Sequence, residues 1–123
     1  MVLFAAGCGG NVENVKILEG EESKIYSEED IEAAYAEVKD YFKKFGGCTL
    51  TELYYPGDDI EEFDKWAKQY NADEAIILLS SFDTDSDIGN GFSPDSTYSN
   101  WNWILVDVYK RQVYTYTIRA QPF

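Results

Sequence analysis

The sequence predicts an α+β fold in which two amphipathic helices pack on one face of a largely antiparallel sheet. Three observations carry the prediction. Apolar residues recur at helical spacing over residues 27–45 and again over 58–70. Two runs, 74–82 and 98–106, are rich in β-branched and aromatic residues, with a polar stretch between them. The order strand, helix, strand, helix and then strands alone belongs to folds that segregate their helices. With 123 residues, 45% of them hydrophobic, and with three Trp, ten Tyr and seven Phe, the chain is sized for one core.

The elements follow in order. Residues 12–18 carry scattered apolar side chains and end in Glu19-Gly20-Glu21-Glu22, which fits a short edge strand and a turn. Ser27-Glu28-Glu29-Asp30 is a capping box, so a helix starts there. Ile31, Ala34, Tyr35, Val38, Tyr41, Phe42 and Phe45 form its apolar stripe, and Gly46-Gly47 supplies the left-handed stop. Residues 48–55 (C-T-L-T-E-L-Y-Y) read as a strand closed by Pro56-Gly57. Asp58 or Asp59 caps a second helix through Ile60, Phe63, Trp66, Ala67 and Tyr70, with Asn71 in the stop position. The unbroken Ala-Ile-Ile-Leu-Leu within 74–82 suits a central strand buried on both faces. A polar loop spans 83–96. In 98–106 the alternation places Trp101, Trp103 and Leu105 on one face and Asn102, Ile104 and Val106 on the other.

Both ends of the chain read differently from the middle. Residues 1–7 (M-V-L-F-A-A-G) are apolar, close on small residues and run into Cys8-Gly9-Gly10, the pattern of a bacterial lipobox. On that reading 1–7 is a truncated lipoprotein signal peptide, short and without the usual basic start. Cys8 would take the lipid, residues 8–14 would be a tether, and 15–106 a single α+β domain. Cys48 would then be the one thiol left, without a partner for an internal disulfide, and is expected as a small buried hydrophobe. At the other end, Asp107-Val108-Tyr109-Lys110-Arg111-Gln112 is the one-frame translation of a transposon end used in sequencing libraries, a scar carried by metagenomic reads. Residues 1–106 hold seven Lys, no Arg and 22 acids, whereas the last 17 hold one Lys, two Arg and one acid. Residues 107–123 are therefore expected to be a chimeric tail, although 113–119 alternate as a strand would.

Two stretches, 41–55 (Y-F-K-K-F-G-G-C-T-L-T-E-L-Y-Y) and 96–106 (S-T-Y-S-N-W-N-W-I-L-V), resemble an uncharacterised lipoprotein domain family of Clostridia-type bacteria, a domain of unknown function. The likeness spans residues 12–106. Family members continue the tryptophan strand into a Gly-rich turn and a Trp-containing last strand, which 107–123 replaces here. The resemblance implies an anchored extracytoplasmic domain and carries no catalytic residues.

Composition excludes several functions. A net charge of -13 repels phosphate backbones, so no nucleic acid partner is expected. No histidine is present, which removes the side chain most used as general base and zinc ligand. No catalytic residue and no cofactor are assigned. Asp83, Asp85 and Asp87 stand at the spacing of the first three ligands of a calcium loop, but the glycine comes one place late and Pro94 occupies the twelfth position. Turn-forming polar residues in a solvated loop account for the same pattern. Tyr98, Trp101 and Trp103 would make an aromatic ligand platform if their face were open; beside Ile104, Leu105 and Val106 they fit the core side of the sheet better. The acids Glu28-Glu29-Asp30 and Asp58-Asp59-Glu61-Glu62 complement helix dipoles.

The reading that results is a lipid-anchored, extracytoplasmic, non-catalytic binding module of a bacterium. It would be held to the membrane through Cys8 and would engage an unknown protein or small-molecule partner. A small-molecule-binding α+β cup with carboxylate chemistry is the alternative, and a calcium-dependent adhesion module the third.

Overall fold

The computed structural model describes residues 10–86, 92–107 and 116–121. Its elements run β1 (Lys16–Ile17), α1 (Glu28–Phe42), β2 (Cys48–Tyr54), α2 (Ile60–Gln69), β3 (Glu74–Thr84), β4 (Thr97–Asp107) and β5 (Tyr116–Gln121). The strands form one sheet in sequential order, with β1 parallel to β2 and every other pair antiparallel. The expected α+β class is observed, with two helices and a mostly antiparallel sheet.

Local chemistry explains where α1 begins and ends. The Ser27 hydroxyl accepts from the Asp30 amide at 3.1 Å while the Asp30 carboxylate accepts from the Ser27 amide at 3.4 Å, completing the capping box. The helix stops at Phe42, earlier than its apolar stripe, and Gly47 takes the left-handed conformation at φ 80 just before β2. Phe45 lies in the turn between them and still reaches the core, 5.5 Å from Trp103. In α2 the cap is Asp59, whose carboxylate accepts from the Glu62 amide at 3.2 Å, and Asn71 turns the chain out at φ 54.

The helices do not share a face of the sheet. Ala34, Val38 and Phe42 of α1 pack with Ile76, Leu78, Trp103 and Leu105, whereas Ala67 of α2 packs with Ala75, Ile104 and Val106. Those two strand sets alternate along β3 and β4, so the pleat sends them to opposite sides. The expectation of a shared face is corrected for that reason: the unbroken apolar run in β3 needs cover on both sides, and one helix cannot give it. Phe63 turns round the margin of β3, its ring 6.0 Å from Tyr26, and joins the α1-side core.

Both ends of the described chain join the sheet. Residues 10–14 of the supposed tether are docked. The Gly10 amide donates to the Lys43 carbonyl at 2.9 Å, the Asn11 amide to the Cys48 carbonyl at 2.9 Å, and the Leu50 amide to the Asn11 carbonyl at 2.9 Å. Residues ahead of 15 thus belong to the packed body, because these amides extend the β1–β2 pairing and Val12 packs on the core. At the other end β4 runs one residue beyond the expected boundary, and residues 116–121 of the supposed tail pair with Asn102–Asp107.

Candidate functional site

A groove beside α2 has room for a ligand. This helix has 10 residues and is about 15 Å long, whereas β3 and β4 have 11 residues each and extend for about 36 Å. It covers Ala75, Ile104 and Val106 and leaves Ile77, Leu79 and Asn102 only half-buried. Together with Phe63 and Trp66 these residues line a groove of about 540 Å³. Its rim is formed by the β2–α2 connection and the first turn of α2, with Asp58, Asp59, Glu62 and Lys65. The Lys65 ammonium is 3.3 Å from Glu62 and 4.9 Å from the centre of the Trp66 ring, whose other neighbour, Tyr70, is stacked at 5.9 Å and 15°. Chemically the groove offers an apolar floor, one amide that both donates and accepts, and an acidic rim.

One wall is fixed by Asp58. Its carboxylate accepts from the Ser23 hydroxyl at 2.7 Å, from the Lys24 amide at 2.8 Å and from the Tyr55 hydroxyl. Ser23 in turn accepts from the amides of Ile25 at 3.1 Å and Tyr26 at 2.8 Å, so a single acid ties the entry to α1 onto the exit of β2. The hydrogen bonds from Ser23 and then Tyr55 hold Asp58 below the usual carboxylate range. Burial first, and then the Asp58 carboxylate, push Tyr55 far above an ordinary phenol. Behind this wall lies a second recess of about 490 Å³, with Tyr35 and Tyr55 inside and Glu19, Glu22, Glu28 and Glu32 around it. Burial raises Tyr35 as well.

The residues singled out from sequence fall elsewhere. Trp103 is wholly buried and Trp101 is 8% exposed, so neither offers the open platform that a ligand would need. Tyr98 stacks on Phe82 at 5.1 Å. The platform reading is corrected: α1 and the turn carrying Phe45 cover that face, with Tyr41, Phe42 and Phe45 all within 6.3 Å of the Trp103 ring. The Trp101 indole N–H is buried without a hydrogen-bond partner among the described residues.

The calcium loop is not assembled by the described residues. Asp83 belongs to β3, where its carboxylate accepts from the Thr97 hydroxyl at 2.7 Å. Asp85 follows the strand, its backbone bonded to Gly47 and Asp95, and Asp87 lies outside the described residues, as does Cys8. Among the described residues no group of three or more His, Cys, Asp or Glu side chains could hold a metal ion. Cys48 is 2% exposed, in the core. No helix among the described residues is long and apolar enough to cross a membrane.

Sequence reading missed the groove. Its one visible trace is Asn102, a polar residue in a row that continues with Ile104 and Val106. No family model, no curated protein and no solved structure matches the chain.

Proposed function

We propose that the chain is a lipid-anchored, extracytoplasmic, non-catalytic binding module whose ligand seats in the groove beside α2. The observation that carries the binding part is the half-buried floor of Ile77 and Leu79, which α2 is too short to cover, with Trp66 of that helix beside it. A volume of about 540 Å³ lies within the range of small-ligand sites. The acidic rim and the net charge of -13 repel anions, so the ligand is neutral or cationic with an apolar body. The anchoring part is supported by the sequence of residues 1–8 and by the resemblance of residues 12–106 to lipoprotein domains. Titrating isotope-labelled protein with a library of neutral and cationic fragments tests the binding part by NMR. Shifts of the Trp66 indole and the Asn102 side-chain amide are expected. Binding that perturbs neither, or a library in which nothing binds, would sink it.

The alternative, an enclosing cup that does carboxylate chemistry, would have Asp58 on its rim. The hydrogen bonds from Ser23 and then Tyr55 lower its pKa and so weaken it as a base, which suits an orienting group rather than a proton donor or acceptor.

A further inference from the structure

We infer that the end of the domain at Gly10 is its membrane-facing end. The inference rests on lipidation of Cys8, and it adds an orientation to that reading. The first argument is the length of chain between anchor and body. Gly10 is hydrogen-bonded to Lys43 at 2.9 Å, and its α-carbon has no room for a side chain, because a Cβ there would lie 2.0 Å from the Phe42 carbonyl oxygen. Gly9 alone separates that docked residue from Cys8, and two residue steps span at most about 7 Å. A lipid on Cys8 therefore brings the bilayer surface to the C-terminal end of α1, where about one Debye length separates it from the nearest charges.

The second argument is charge. Lys39, Lys43 and Lys44 cluster at this end, Lys43 beside Asp40 at 3.9 Å and Lys44 over the Tyr41 ring at 4.6 Å. Glu13, Asp40, Asp83, Asp85 and Asp95 lie at the same end, so it is mildly acidic despite the lysines. The opposite end is far more acidic, with Glu19, Glu21, Glu22, Glu28, Glu29 and Asp30 leading into α1, whose 15 residues separate the two ends by about 22 Å. An anionic bilayer repels the second end more strongly than the first. β2 runs from Cys48, beside Asn11, to Tyr54, so the connection at Pro56 and Asp59 that rims the groove points away from the lipid.

The test places a clickable azide residue and fluorophore at Glu13 or at Asp73, both exposed. The full chain, with lipid on Cys8, is reconstituted in phosphatidylglycerol-containing vesicles bearing shallow nitroxide lipids. Quenching about threefold or more stronger at position 13 than at 73 is expected, because the two sites differ by more than a screening length. Inserting about ten Gly-Ser residues after Gly9, which adds roughly 17 Å of flexible reach, is expected to shrink that difference on neutral vesicles. On anionic vesicles the insert should leave more of the difference in place, because the strongly acidic opposite end is repelled. Equal quenching at both positions on chain shown by mass to carry lipid overturns the inference. An unmodified Cys8 in the native product overturns the anchoring reading instead, and a dialkyl maleimide coupled to Cys8 then still reports the orientation.

Discussion

The indole N–H of Trp103 donates to the hydroxyl of Ser80 at 2.7 Å, wholly inside the core between β4 and β3. Both groups are polar atoms taken out of water, and each satisfies the other. Ser80→Ala leaves the indole without its acceptor, and a cost of about 1–3 kcal/mol is expected, seen as a fall in Tm of several degrees. Trp101→Phe removes an N–H that has no partner among the described residues, so its loss of packing is partly offset and it should cost less than Trp103→Phe. Calorimetry of the three variants checks the ranking; equal losses for the two tryptophan variants would contradict it.

Gly10→Ala should detach the N-terminal segment and leave the rest folded. The added methyl would meet the Phe42 carbonyl oxygen at 2.0 Å, a backbone atom at the end of α1 that cannot swing aside. Hydrogen exchange is the measurement. The Leu50 amide, which donates to Asn11, should lose protection in the variant, while the amides between β3 and β4 keep theirs.

The Asp58 knot makes stability depend on pH at both extremes. Asp58 is held below its unfolded value, so its contribution is present at neutral pH and disappears as pH falls below about 4. Asp58→Asn should therefore be less stable than the parent at pH 7 and converge with it in acid. Tyr55 is held above its unfolded value, so its contribution is full below about pH 10 and lost at higher pH. Tyr55→Phe should flatten the alkaline decline, and in a spectroscopic titration of the parent Tyr55 should ionise after the ordinary phenols.

Filling the groove should abolish binding without unfolding the chain. Asn102→Phe places a ring over Ile77 and Leu79 at a half-buried position, where added apolar surface meets open space. Stability within about 1 kcal/mol of the parent and loss of any fragment detected at Trp66 are expected. Retained binding would relocate the ligand, with the recess at Tyr35 and Tyr55 as the next place to look.

Much of the fold was legible because periodicity and capping are local. The Ser27–Asp30 box, the Asn71 stop and the alternation of Trp101, Trp103 and Leu105 against Asn102, Ile104 and Val106 can be read along the chain, and the structure repeats them. Residues 10–14 were harder to read: one glycine among mostly polar residues looks like a spacer until the carbonyls of Lys43 and Cys48, distant in sequence, receive the amides of Gly10 and Asn11.

What the sequence determined by itself is the set of elements and which side chains share a face, since both follow from the geometry of a single helix or strand. Which face meets which helix was decided only by the tertiary structure. The pleat of β3 offers two apolar sides, and the chain places α1 on one and α2 on the other. That choice buries Trp101 and Trp103, the core placement that their neighbours along the strand favoured. It also opens a groove at Trp66 and Leu79, because the cover on the second side is shorter than the strands beneath it.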